Sequence, residues 1–397
     1  MTEEREAPYG WVVVWACFSA LAVIFGVSYS FAAFFEPFAD AFGATRAEVS
    51  LVFGLSGLLY FVLGAFAGML SDRLGPARVA ASGMVCIALA LLAGSLARSM
   101  TEMTLAYGVG LGVGIALVYS PAIGCVQPWF TRRRGLAAGI ASAGIGAGTL
   151  LVPLLAAAAI GRWQWRHAMW AIALCVLTIG LAAALLLRRA PQAVRRADGH
   201  VPGLPLGGVL ASARFRWLYA MCLLSAPSMF VPFAHLSAAA RDLGVDEARA
   251  VGLVGLIGVG SLVGRFAVAA VADRIGRPRA LVAATAGLGL SMLLWLAARE
   301  YVLLAAFALA MGLAYGGSVS LMPALCMDMF GARAVSSSIG VLYTGAALGN
   351  LGGPWLAGRV FDATGSYAGV VAACALLSAA ATVAAWRAVR RADGGAR

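Results

Sequence analysis

One arginine stands apart from the rest of its surroundings. In VGLIGVGSLVGRFAVAAVADRIG, residues 254 to 276, Arg265 is set among Val, Leu, Ile, Ala and Gly. A guanidinium stays charged at any ordinary pH and offers five N–H donors in a planar fork, which can grip both oxygens of a carboxylate. Arg265 lies 16 residues from Arg249 and nine from Arg274. At a helical rise of 1.5 Å per residue, it sits roughly 13 Å from the nearer end of the run. The acids Glu36, Asp40, Asp328 and Asp362 all fall near the ends of apolar runs or between them. An unpaired cation at depth is an anion site; the competing reading is a structural arginine paired with a buried acid.

Other chemistry-bearing residues fall in apolar runs too. His235 follows Pro227 and Pro232 and can titrate near neutral pH. It reads as a proton relay or substrate donor, or else as a packing histidine bonded to a carbonyl freed by the prolines. Counting from Arg241, it is only about 9 Å from its end of the run. Ser261 stands one turn before Arg265, and Tyr119, Tyr315 and Tyr343 supply uncharged hydroxyls. Positions 343, 347 and 350 share one helical face, which sets Tyr343 and Asn350 together. An interhelical hydrogen bond is the alternative role for each tyrosine.

The elements that must position these groups are membrane helices. The chain has 397 residues, 62% hydrophobic and 12% charged, against about 25% charged in a soluble domain. Twelve apolar runs match the roughly 20 residues that cross a hydrocarbon core. They lie near 10–35, 47–70, 78–97, 103–128, 135–160, 165–187, 217–240, 249–271, 280–298, 301–326, 335–358 and 367–386. The fold class expected is an all-α membrane protein of twelve transmembrane helices. The start, MTEEREAPYGW, is acidic and lacks the cationic region of a signal peptide, so the first helix is expected to stay. Every cation is arginine. With the N-terminus inside, 20 of the 29 fall on the inner side and eight outside. That asymmetry predicts cytoplasmic termini in the plasma (inner) membrane, and it explains the net charge of +12 without nucleic acid.

The chain divides into two halves. A loop rich in Arg, Pro and Gly, 188–216, separates an N-terminal bundle, 1–187, from a C-terminal bundle with a short tail, 217–397. GMLSDRLGPAR (68–78) after the second span is echoed by AAVADRIGRPR (269–279) after the eighth. Asp72 and Asp273, Gly75 and Gly276, and Pro153 and Pro354 all keep one offset of 201 residues. Parallel six-helix repeats with a substrate site at their interface are a transporter architecture. Asp72, Arg73, Asp273 and Arg274, in the two turns, are expected to latch the halves on the inner face through helix capping and ion pairs.

The repeated D-R-x-G-x-x-R turn resembles the signature between helices two and three of the major facilitator superfamily. YGWVVVWACF, SYSFAAFFEPFADAFGATRAEVSLVFGL, YSPAIGCVQPWFTRRRGLAAGIASAG and FVPFAHLSAAARDLGV narrow the likeness. Together they are similar to the bacterial branch of the monocarboxylate transporters, with the oxalate–formate exchangers as near relatives. That resemblance implies a carboxylate-binding arginine on helix eight, where Arg265 stands. It also implies a histidine near substrate on helix seven, at His235, and substrate contacts at Tyr119 and Tyr315. Many relatives carry an acid or Asn where this chain has Ser261. The first-helix lysine of animal members and the second cation of the oxalate exchangers are both missing, which favours one carboxylate over two.

These observations point to a secondary transporter of small organic monocarboxylates, lactate- or pyruvate-like or aromatic, acting as a monomer by alternating access. Proton symport is the expected coupling, with His235 or Arg265 as its carrier. Anion exchange, drug efflux and a nutrient sensor on a transporter fold are the alternatives. The seven cysteines all fall within spans and form no CxxC or Cys/His cluster, so neither metal nor cofactor is expected. No nucleophile–base constellation suggests an enzyme.

Overall fold

The computed structural model describes residues 8–130, 134–190, 204–331 and 335–390. Its helices, numbered in chain order, begin with α1 (Tyr9–Phe42), α2 (Arg46–Leu74), α3 (Pro76–Ser95) and α4 (Met100–Val126). The apolar segment Leu136–Leu185 reverses at Gln164, whose φ is 68°, which separates α5 (136–163) from α6 (165–185). The second half comprises α7 (Ala213–Asp242), α8 (Glu247–Ile275), α9 (Arg277–Ala297), α10 (Tyr301–Phe330), α11 (Val335–Thr364) and α12 (Ala368–Arg390). These are two bundles of six transmembrane helices. Both described ends of the chain lie on one face, called here the terminal face; the opposite face is the distal one. Of the loop expected at 188–216, residues 191–203 lie outside those described.

Local chemistry sets the helix ends. Thr45 and Glu48 form a reciprocal capping box at the start of α2, and the Asp246 side chain accepts from Arg249 N at 3.0 Å to start α8. The repeated turns have one geometry: Gly75 and Gly276 adopt φ of 95° and 89°, which side chains rarely tolerate. Each is followed by a helix with proline in its first turn. Glycines at the same offset, each with a proline one or two residues on, thus make the same break in each half.

Helices run longer than the apolar runs that foretold them. α1 continues past Tyr29, because Ser30 stays in the helical region with its N–H on Gly26 O at 2.9 Å, and Pro37 is accommodated within the next turns. Leucines such as Leu155, Leu290 and Leu376 are exposed on the outside, where lipid is their solvent.

The two halves meet chiefly through α2 against α11 and α5 against α8. Exchanging each helix for its counterpart six places along turns one pair into the other. Both contacts rely on small residues that let backbones approach: a Cβ on Gly258 of α8 would lie 2.9 Å from Gly146 O of α5, and one on Gly54 of α2 would lie 2.9 Å from Leu351 O of α11.

Candidate functional site

Arg265 is aimed by the packing of α8 on α10. A Cβ on Gly264 would fall 2.1 Å from Leu313 O, and one on Gly316 would fall 2.1 Å from Ser261 O. With backbones this close, α8 cannot roll, and Arg265, flanking that contact one turn after Ser261, is held at the space between the halves. There it borders a cavity with about 730 Å3 of empty space. Arg265 is 6% exposed, and its Nε and Nη2 are buried without any hydrogen-bond partner. No Asp, Glu or His lines this cavity among the described residues. Leaving a buried charged donor unmatched is costly, which makes Arg265 the candidate anion site of the cavity.

Tyr119, Tyr315 and Tyr343 share the cavity wall with Arg265, as the sequence suggested. Tyr60 of α2 joins them; a lone tyrosine in a glycine-rich apolar helix carries no sequence signal of its own. The Tyr315 hydroxyl lies 3.3 Å from that of Tyr29 on α1, and the Tyr29 ring stacks on Phe233 of α7 at 3.9 Å between centroids. Ser261 and Asn350 do not line the cavity. Ser261 Oγ is buried without a partner in the α8–α10 contact. Asn350 turns its amide onto Gly57 of α2, its Oδ1 also unpartnered. The spacing that put Asn350 and Tyr343 on one face of α11 was correct, but that face is shared between the cavity and the other half.

His235 lies outside the cavity wall as well, in a polar cluster that closes the distal face. Its Nε2 is 2.9 Å from both Pro354 O and Ser50 Oγ, and its Nδ1 is 2.9 Å from the Tyr367 hydroxyl. A carbonyl only accepts, so Nε2 carries the hydrogen and Nδ1 accepts from Tyr367. The shallow depth counted from Arg241 fits this place better than a seat beside Arg265. Ser50 Oγ in turn donates to Arg46 O.

Arg46, at the start of α2, is the hub of this closure. Its Nη1 and Nη2 donate to the two Asp242 oxygens at 2.8 and 2.7 Å, and Nη1 also donates to Tyr367 at 2.8 Å. Glu36 stands 3.7 Å away, and the guanidinium lies 3.9 Å over the Phe361 ring. Asp362 of α11 accepts from the backbone N–H groups of Arg46 and Ala47 at 3.1 and 3.0 Å, capping a helix of the other half. Nothing in the sequence singled out Arg46, Asp242 or Tyr367, because a charge or tyrosine at a span end reads as interfacial.

On the terminal face, Asp72, Arg73, Asp273 and Arg274 are exposed, and among the described residues no ion pair joins them. Arg189 donates to the carbonyls of Ser71 and Asp72, within the first half. Arg277 and Asp328 pair at 2.8 Å within the second. The expected latch is therefore not made in this conformation, which is closed on the distal face.

Residues 16–270 and 217–396 each match the sequence profile of the Major Facilitator Superfamily. The chain belongs to that superfamily. Its homologues include monocarboxylate transporter 13 of Rattus norvegicus, 30% identical over 95% of this chain and 89% of the relative. Monocarboxylate transporter 3 of the same species is 30% identical over 91% and 76%. The fujikurins efflux protein of Gibberella fujikuroi is 27% identical over 78% and 65%. Among solved structures, a bacterial homologue of the human lysosomal transporter Spinster, inward-facing and occupied, superposes with a TM-score of 0.76 at 15% identity, covering 96% and 97%. A peptide transporter POT mutant in complex with sulfate gives 0.75 at 13%, covering 95% of each chain.

Membership of the Major Facilitator Superfamily makes the protein a multi-pass membrane transporter rather than an enzyme. It also gives the geometry a use. In a superfamily chain, a cavity between two pseudo-symmetric bundles is where a transported substrate is expected to bind.

Proposed function

We propose that the protein carries small organic monocarboxylates by alternating access, with a proton moving in the same direction. The observation that carries this reading is Arg265, almost fully buried in the central cavity with Nε and Nη2 unpartnered and no acid in the wall. A carboxylate held by the fork of Arg265 would neutralise it, and the hydroxyls of Tyr119, Tyr315 and Tyr343 would orient the bound anion. One guanidinium and no second cation in the wall favour one carboxylate. Relatives named monocarboxylate transporters and the motifs of helices one, four and seven support a place in that group, in its bacterial branch near the oxalate–formate exchangers.

The proton has two routes. It crosses on the cycle of Arg265 between bound and empty states, or it is taken up by His235, which gates the distal closure rather than touching substrate. The excess of arginine on the terminal side supports cytoplasmic termini in the plasma membrane, and one chain contains the whole cavity, which supports a working monomer. In proteoliposomes, labelled lactate should accumulate under an inward proton gradient, and Arg265→Ala should abolish uptake. Uptake that survives Arg265→Ala removes the carboxylate reading; uptake indifferent to the gradient removes symport and leaves exchange.

A second reading is export of larger organic anions. It draws on the relative named as an efflux protein and on the apolar, ring-lined wall of the cavity. Efflux from vesicles loaded with the anion would favour it.

A further inference from the structure

The cavity wall says more about its cargo than a carboxylate clamp requires. Six rings form one continuous belt around it. Tyr119 meets Phe25 at 5.5 Å between centroids, Phe25 meets Tyr60 at 6.1 Å, and Tyr60 meets Phe61 at 4.2 Å. Phe61 then touches Phe230 at 5.9 Å and Tyr343 at 5.6 Å. Most of these contacts are edge-to-face. The first four rings belong to the first half and the last two to the second, so the belt spans the interface. Met221, Met229 and Met322 complete the wall; thioethers adapt to a flat guest and favour its ring edges.

The polar atoms of the same wall are few, and some are spent. Ser225, Thr285 and Ser318 donate to carbonyls of their own helices, at Cys222, Leu281 and Tyr315. The Tyr60, Tyr119 and Tyr343 hydroxyls make no hydrogen bond to the described protein, and Arg265 has its two orphan nitrogens. The donors thus suit one anionic head, while nothing in the described wall offers a carboxylate for an ammonium group. Beyond that head the lining is almost wholly apolar, and residues of both halves bound it. A two- or three-carbon acid would satisfy Arg265 and leave the ring belt facing a void or trapped water.

We infer that the preferred cargo is an aryl monocarboxylate without an amino group, its carboxylate on Arg265 and its ring within the Phe25–Tyr60–Phe61–Phe230 belt. This inference rests on the carboxylate reading of Arg265 and narrows it. A planar ring buries more apolar surface than a methyl group and gains offset or edge contacts with its neighbours. Because rings of both halves would grip it, an aryl acid also ties substrate occupancy to the closeness of the two bundles.

Three probes differing by one group each test it: propionate, 3-phenylpropionate and phenylalanine, as competitors of labelled 3-phenylpropionate on the full-length protein in proteoliposomes. The expected result is half-inhibition by 3-phenylpropionate at a concentration at least about thirtyfold below that of propionate, with phenylalanine ineffective. Phe61→Leu should narrow the ratio between the two acids several-fold, because Phe61 touches three other rings of the belt. Equal potency of propionate and 3-phenylpropionate, inhibition by phenylalanine as strong as by 3-phenylpropionate, or a ratio unmoved by Phe61→Leu would each overturn the aryl assignment and leave a carboxylate carrier standing. Failure of labelled 3-phenylpropionate and of labelled lactate to enter at all would overturn both.

Discussion

Asn350 of α11 rests its amide on the bare backbone of Gly57 of α2: a Cβ at Gly57 would fall 1.4 Å from Asn350 Nδ2. The contact spans the two halves, so the missing methyl group is a requirement of the closed distal face and not of either bundle alone. Gly57→Ala should disfavour this conformation by about 1–3 kcal/mol, leaving the halves folded. Labelling of single cysteines on the distal side of the cavity should rise. Because the obstacle is a side chain, Asn350→Ala in the same chain should restore much of the closure. Equal labelling in wild type and Gly57→Ala would remove this contact from the gate.

Arg265→Lys separates charge from shape. An ammonium keeps the charge but loses the two-pronged grip, so carboxylate affinity should fall by about tenfold or more, while Arg265→Ala should lose at least about thirtyfold. Ligand-dependent thermal shifts of the purified protein would measure both. A lysine variant that binds as tightly as wild type would exclude bidentate recognition.

Arg46 joins Asp242 and Tyr367 across the halves, with Glu36 of its own half 3.7 Å away. Arg46→Ala should move the conformational balance toward an open distal face by about tenfold, the worth of one or two charge-assisted hydrogen bonds. Asp242→Asn should move it the same way but less, since the bond from Arg46 to Tyr367 remains. Distances between spin labels on α2 and α7 would report the shift. Unchanged distances in Arg46→Ala would make the hub a bystander.

Much of the fold was legible from hydropathy and from the 201-residue offset, because each helix must bury its own backbone bonds in lipid and each half repeats the same breaks. Arg265 was legible for a related reason: a charge in an apolar run has few places to go. The wall tyrosines followed in part. What stayed hidden depends on which neighbour a face meets. His235, Ser261 and Asn350 lie at the depths the sequence implied, yet each faces another helix rather than the cavity. The distal hub was invisible because its members are 196 and more residues apart and sit where charges are ordinary.

His235 connects Tyr367 to Pro354 O and Ser50 in the closed distal face. His235→Gln keeps a donor for the carbonyl but removes the imidazole that could take up a proton. Net uptake driven by an inward proton gradient should fall sharply, and substrate-for-substrate exchange should survive. A Gln variant with the wild-type pH profile of uptake would assign the proton to the Arg265 cycle instead.

Asp72 and Asp273 are exposed here, so neutralising them costs this conformation little. If they latch the opposite one, Asp72→Asn should raise the share of molecules closed on the distal face, the reverse of Arg46→Ala. Combining the two should bring the balance part of the way back. Hydrogen exchange at the start of α2 is the readout, slower in Asp72→Asn and faster in Arg46→Ala. No change in Asp72→Asn would leave the turn without a part in the cycle.

Asp362 terminates α2 from across the interface, accepting the first backbone N–H groups of a helix to which it does not belong. Opening the distal face would strip two amide donors of a carboxylate. The path between conformations crosses a moment when neither partner is in place, and that moment carries an activation enthalpy. Nothing comparable joins the halves at the described turns of the terminal face. The two half-cycles should accordingly slow unequally on cooling, the one that unseats Asp362 setting the temperature coefficient of the whole.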